Sequence, residues 1–211
     1  FVLFDVGANV GTYSLLAIRE AGRAGCAIEV HAFEPSPVAA DRLRAVAGRE
    51  PAIRVVQVAL SDRTGAAPLH AGGTGSGHAS LVARDSPDSP AAAATLVPLL
   101  RLEDYLKQRD AGCIDLLKLD VEGSEMAVLQ GLGDRLNPAV VKTVQLEYGG
   151  ATRDAGVTLR ALERFLVGHG YALAKLFPRA LEVRPYREWM DNYSYANYVA
   201  VPAARGVSSG P

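Results

Sequence analysis

Apolar runs of strand length alternate along this chain with segments of helical periodicity. Residues 1–6 read as a strand, and 12–21 as a helix with Tyr13, Leu16 and Ala17 on one face. Residues 27–33 form a second strand and 37–48 a second helix, with Pro37 tolerated in its first turn. A third strand spans 53–60 and a turn 61–65. Residues 70–94 break the rhythm: Gly, Ser, Pro and Ala dominate without a period, as in a functional or disordered loop. An extended segment at 95–99 and a helix at 102–109 follow. Then come a strand at 114–119, a helix at 124–129 and a strand at 140–146. A helix at 159–169 stops at Gly170, and strands at 171–177 and 195–201 close the pattern. Near-continuous apolar strands separated by helices predict a mostly parallel sheet, seven-stranded, with helices on both faces, an α/β Rossmann-like architecture.

Composition adds limits. The 211 residues, 49% hydrophobic, suit one domain, expected over 1–202, with 203–211 as a flexible tail. A formal net charge of −1 and no basic run give a nucleic-acid partner no support. No apolar stretch reaches bilayer length. Cys26 and Cys113 each begin an apolar run, so they are expected as buried free thiols of a cytoplasmic protein. The chain opens inside a strand, with the expectation that N-terminal elements are missing. A homo-oligomer is compatible with the sequence, which contains no internal repeat.

In open α/β sheets ligands bind beyond the carboxyl ends of the strands, so the residues there carry the chemistry. After the first strand stands Asp5-Val6-Gly7-Ala8-Asn9-Val10-Gly11. Its Gly-x-Asn-x-Gly spacing departs from the dinucleotide fingerprint. Asp5, two residues before the first glycine, would repel a pyrophosphate and suit an amine-bearing ligand. After the second strand, Phe33-Glu34-Pro35-Ser36 places an acid where ribose hydroxyls are accepted, with a helix-start carboxylate as the bland alternative. Ser61 and Asp62 after the third strand stand where an adenine edge is reached, or form a plain turn.

After the fourth strand, Lys118-Leu119-Asp120-Val121-Glu122-Gly123-Ser124-Glu125 crowds three carboxylates and a lysine. Strand alternation would point Asp120 and Glu122 the same way, and like charges held together mark functional sites. An Asn/Asp-Pro-Pro-aromatic sequence, the mark of exocyclic base-nitrogen methylation, is missing here. Glu147 after the fifth strand faces substrate or joins Asp120 on a divalent cation; two carboxylates without a histidine signal a metal only weakly, and no metal ligand is assigned.

These segments together resemble the FkbM family of methyltransferases, from Phe1 to about Val201. The matching stretches run from Asp5 through Gly11 to Ser14, then Phe33-Glu34-Pro35, Ala59 to Asp62, Ser76 to Leu81, and Leu117 to Glu125. The resemblance implies a class I methyltransferase sheet whose seventh strand is antiparallel. It also implies S-adenosylmethionine as cofactor and methyl transfer to oxygen, often a hydroxyl of a sugar or polyketide. Asp5, Gly7, Asn9, Gly11, Glu34 and Asp62 would line the cofactor, with Pro35 and Ser61 beside them, and Asp120 would lie near the reacting methyl.

A hydroxyl is a weak nucleophile at neutral pH, so a base is expected at Asp120, Glu122 or His78, the last in the glycine-rich loop. Trp189, Tyr193, Tyr195 and Tyr198 read mainly as packing aromatics, with a substrate platform as the alternative. The rival readings are an NAD-dependent oxidoreductase, which shares the glycine turn and Glu34, and a non-catalytic S-adenosylmethionine-binding module.

Overall fold

The computed structural model describes residues 1–70, 79–82, 94–109, 112–183 and 185–203. In chain order these form β1 (Val2–Val6), α1 (Thr12–Arg23), β2 (Glu29–Phe33), α2 (Pro37–Ala47), β3 (Ile53–Val56), β4 (Ala59–Ser61), β5 (Gly65–Leu69) and β6 (Thr95–Arg101). Then follow α3 (Leu102–Arg109), β7 (Leu116–Leu119), α4 (Glu125–Gln130), β8 (Val144–Tyr148), α5 (Gly150–Asp154), α6 (Leu159–Gly168), β9 (Tyr171–Phe177), β10 (Ala180–Val183) and β11 (Ala196–Pro202). Among the described residues the main sheet has eight strands in the order β10-β9-β11-β8-β7-β1-β2-β3. From β3 across to β8 all neighbours are parallel, and β11 is antiparallel to both β8 and β9.

The strand count exceeds the expected seven because β10 folds back on β9 as a hairpin, with every residue of β10 exposed. A second difference concerns residues 53–60. The Val58 N–H turns back to the Val56 carbonyl at 3.0 Å, ending β3. The chain then enters a separate three-stranded sheet, β4-β6-β5. Within the anticipated loop His70, just after β5, and Ser80 exchange backbone hydrogen bonds at 2.8 and 3.0 Å as an isolated bridge, and residues 71–78 and 83–93 lie outside the described residues. His78 lies outside the described residues, as does the expected tail beyond Ala203. The two cysteines are free, but Cys26 is exposed and Cys113 only half-buried, which corrects the expectation of buried thiols. Among the described residues no helix is long and apolar enough to cross a membrane.

Strand alternation sorts the core into two layers. On one face Phe4, Phe33, Leu117 and Leu146 pack with Leu102 and Leu106 of α3, Leu129 of α4 and Leu162 of α6. On the other, Leu3, Val30 and Ala32 pack with Leu43 of α2 and with Tyr13 and Ala17 of α1. Each large apolar side chain so buried contributes about 1.5–3 kcal/mol. The second face matters for function, because the same alternation brings Asp5, Lys118 and Gln145 onto it, side by side on β1, β7 and β8.

Candidate functional site

The turn after β1 is built by backbone constraints. The N–H groups of Gly7 and Ala8 both donate to the Phe33 carbonyl at 3.0 Å, which tips the chain over the end of β2. Gly7 sits at φ +80°, and a Cβ there would overlap the Asp120 carbonyl oxygen. Only glycine lets the ends of β1 and β7 meet this closely. Gly11, at φ +88°, serves packing instead: a Cβ would stand 2.8 Å from Leu43 Cδ1, where α1 passes α2.

Asn9 holds a left-handed backbone at φ +48° and aims its N–H at Glu34 Oε2, 2.9 Å away. The Ser36 N–H donates to Glu34 Oε1 at 2.8 Å, while the Ser36 hydroxyl caps α2. Each Glu34 oxygen thus takes one backbone N–H and keeps a second lone-pair direction. Glu34 is 6% exposed. Its burial pushes the carboxyl pKa above the ordinary range, against the two backbone N–H bonds that pull it down.

Beneath the strand ends lies a neutralised row. Asp5, with no exposed surface, accepts the Ser14 hydroxyl at 2.7 Å. Lys118 Nζ stands 3.2 Å from Asp5 Oδ1 and 3.2 Å from Asp120 Oδ2. The Asp5 contact is an ion pair without hydrogen-bond alignment. Burial disfavours the lysine's charge, but Asp5 and Asp120 outweigh it and raise its pKa. The Tyr13 ring covers Lys118, with the ammonium 5.2 Å from its centroid, and the Tyr13 hydroxyl donates to Gln145 at 2.9 Å.

Above this row opens a cavity of about 540 Å³, a size that holds a nucleoside and part of an acceptor. Gly7, Asn9, Glu34, Pro35, Asp120 and Glu122 all line it. Asp5, Gly11, Ser61 and Asp62 do not. Asp5 is held against Lys118 and Ser14 beneath the cavity and does not line it. Ser61 is buried at the end of β4, with its hydroxyl turned to Asp62 at 3.0 Å. The neighbouring Ala59 and Leu60 face the cavity in their stead, joined by Leu69 and Leu81 as an apolar wall.

The other departures lie at the carboxylates. Asp120 follows the end of β7, and Glu122 occupies a left-handed turn at φ +52°, so the two do not alternate on a strand. The Glu122 carbonyl accepts the Ser80 hydroxyl at 2.8 Å, tying this turn to the segment bridged to His70. Glu125 is buried, its Oε1 taking the N–H groups of Val121 and Gly123 at 3.3 Å while Oε2 has no hydrogen-bond partner among the described residues. Burial pushes its pKa up to about 7. Glu147 also lines the cavity, and burial together with Asp120, Glu122 and Glu125 pushes it up to about 7. Of the late aromatics, Tyr193 stacks on Tyr148 and Tyr198 is buried, whereas Tyr195 is exposed at the cavity rim. Among the described residues no cluster of three or more His, Cys, Asp or Glu is arranged to hold a metal ion.

A parallel sheet ending in an antiparallel β11, with a glycine turn and ribose-type acid at the first two strand ends, is the architecture of class I methyltransferases. The solved structure of a methyltransferase FkbM from Methylobacillus flagellatus KT has this fold: it superposes with a TM-score of 0.57 at 17% identity, covering 94% of this chain and 44% of that one. The FkbM methyltransferase domain matches residues 5–173, and the chain belongs to that family. Among curated relatives, the 31-O-demethyl-FK506 methyltransferase FkbM of Streptomyces tacrolimicus is 33% identical over 200 residues, covering 82% of this chain and 73% of the relative. The 2-O-methyltransferase NoeI of Sinorhizobium fredii is 29% identical over 203 residues, covering 86% of this chain and 76% of the relative. The chain therefore spans about three quarters of these two relatives and less than half of the solved structure. Membership decides against the oxidoreductase reading, and S-adenosylmethionine is the cofactor of the family. The residues fit it: Glu34 lines the cavity with an acceptor direction left on each oxygen beyond its backbone bond, and Gly7, Asn9 and Pro35 border the same space.

Proposed function

We propose that this chain transfers a methyl group from S-adenosylmethionine to a hydroxyl oxygen of a small molecule, glycan or polyketide. The observation that carries the reading is one cavity holding both a nucleoside cradle, at Gly7, Asn9 and Glu34, and an acidic cluster, at Asp120, Glu122 and Glu147. The names of the two curated relatives, a 31-O-demethyl-FK506 methyltransferase and a 2-O-methyltransferase, support an oxygen acceptor.

When bound, the cofactor supplies a methyl group on a sulfonium, open to in-line displacement. Glu34 accepts the ribose hydroxyls, with its carboxylate fixed by Asn9 and Ser36. Pro35 starts the turn into α2 and borders the nucleoside. Asp120 and Glu122 stand at the acceptor end, where a carboxylate orients the attacking hydroxyl and favours developing positive charge on it. The apolar wall of Leu60, Leu69 and Leu81 keeps water from competing for the methyl.

The reading is tested with methyl-labelled S-adenosylmethionine and a panel of hydroxyl-bearing sugars and macrolides, the products analysed by mass spectrometry. Label on an acceptor oxygen is expected. Label on nitrogen or carbon only, or tight NAD binding without S-adenosylhomocysteine binding, overturns it. Cofactor binding with no transfer to any of these acceptors would favour the non-catalytic module.

A further inference from the structure

We infer that Glu147 receives the acceptor's hydroxyl proton, and that Asp120 is a fixed anion locked beside it by Lys118. This rests on the methyl-transfer reading and assigns its proton step.

Strand register places the pair. In the parallel ladder between β7 and β8, Leu117 stands opposite Val144, Lys118 opposite Gln145 and Leu119 opposite Leu146. One step further, where both strands end at the cavity, the same register brings Asp120 beside Glu147. Both side chains line the cavity there, and Asp120 is the first of the charges that act on Glu147. Lys118 gives its cation to Asp120 at 3.2 Å, and among the described residues no lysine, arginine or histidine pairs with Glu147. The charged and titratable groups facing Glu147 are carboxylates from three places: Asp120 after β7, Glu122 in the following turn and Glu125 on α4. On β11, Asn197 stands opposite Glu147 in the sheet, and Tyr195 closes the rim.

This asymmetry separates the roles. A cation beside one of two neighbouring carboxyl groups commits that group to its ion pair and leaves the other to carry the proton. Lys118 is itself fixed by Asp5 and by the Tyr13 ring, so Asp120 is held from a sealed base. Glu147, half-buried and raised to about 7, is poised to take a proton near neutral pH. Glu122 is a weaker candidate, on a left-handed turn whose backbone is tied to Ser80. In the step, the acceptor oxygen forms a bond to the methyl carbon and the carbon–sulfur bond breaks with its electron pair on sulfur. The hydroxyl proton passes to a Glu147 carboxylate oxygen, and bulk water later removes it.

The experiment compares wild type and Glu147→Gln for kcat across pH 5.5–8.5 on an acceptor identified above. S-adenosylhomocysteine affinity is measured by calorimetry, and the Glu147 carboxyl is titrated by carbon-13 NMR in the unliganded protein. Expected are a wild-type kcat that falls below about pH 7, as the titration of Glu147 sets it, and a Glu147→Gln kcat reduced about 10²- to 10⁴-fold and nearly flat with pH. S-adenosylhomocysteine affinity should stay within about threefold, since Glu147 stands across the cavity from the Glu34 cradle. A Glu147→Gln enzyme that keeps the wild-type rate and acid limb, or a Glu147 carboxyl titrating in the ordinary range, overturns the assignment while methyl transfer to oxygen stands. No product from wild type with any hydroxyl acceptor overturns both.

Discussion

Two rows of polar side chains lie one above the other on the same face of the sheet, and the protein treats them in opposite ways. The lower row, Asp5, Lys118 and Gln145, is sealed: the charges pair, Ser14 and Tyr13 close the remaining contacts, and Asp5 sees no solvent. The upper row, Asp120 and Glu147, joins like charges at an open cavity. The lower arrangement minimises electrostatic cost and the upper one retains it. A buried acid is therefore no sign of a ligand site until its partner is known. An acid left among other acids at a strand end is the stronger signal.

Breaking the lower row has the largest expected effect. Lys118→Met leaves Asp5 buried with no cation, a situation that costs about 3–5 kcal/mol. Urea denaturation should show a loss of that size, together with lower activity because Asp120 loses its anchor. Stability within about 1 kcal/mol of wild type would mean that the Asp5–Lys118 pair contributes little.

Next in size is the junction that sets the height of both rows. Gly7→Ala forces a side chain against the Asp120 carbonyl at a backbone angle that L residues rarely hold. Strain of this kind amounts to about 1–3 kcal/mol, and the strand ends must part to relieve it. Both melting temperature and S-adenosylhomocysteine affinity should fall. Unchanged affinity would show that the cofactor does not depend on this close approach.

A change at the opposite end of the cavity sharpens the contrast. Glu34→Gln keeps the shape but turns an amide N–H₂ toward one of the two backbone donors, Asn9 or Ser36, and removes the charge. Hydrogen bonds to a charged group contribute about 1.5–3 kcal/mol, so S-adenosylhomocysteine should bind about 10- to 100-fold more weakly. Calorimetry that found equal affinities would remove Glu34 from the ribose contact.

Much of the upper row was legible along the chain, because apolar strands stop abruptly at Phe33-Glu34, Leu119-Asp120 and Leu146-Glu147. Their positions follow from hydrophobic runs, and the parallel sheet follows from the alternation. What joins Asp120 to Glu147 was not legible, since the register of β7 against β8 is a property of the packed sheet. The ion pair of Asp5 was hidden for the same reason, since its partner Lys118 is distant in sequence. The break at residues 57–58 was hidden because Val55, Val56, Val58, Ala59 and Leu60 keep an apolar pattern through a change of sheet. The exposed β10 hairpin carries no core-facing periodicity to betray it.

Glu125 offers the smallest effect and a control for the comparison, since it is an acid of the upper cluster that does not line the cavity. Its folded pKa of about 7 lies above the ordinary carboxylate value, because burial disfavours the ionised form and outweighs the backbone N–H bonds that favour it. Between about pH 4.5 and 7 the folded protein binds more protons at this site than the unfolded chain, so this residue lowers stability as pH rises through that window. Glu125→Gln keeps an acceptor for the Val121 and Gly123 N–H groups and removes the charge. The full shift sets a ceiling of about 3 kcal/mol, and relaxation of the site reduces the gain to about 1 kcal/mol, or 2–4 °C in melting temperature at pH 8. At about pH 3.5, below both the unfolded and the folded value, the glutamate is neutral in either state and the difference should nearly vanish. A gain of equal size at both pH values would trace the effect to packing rather than to charge. A loss at pH 8 would show that the ionised carboxylate is welcome there, and that the acidic cluster is less strained than the sealed row beneath it suggests.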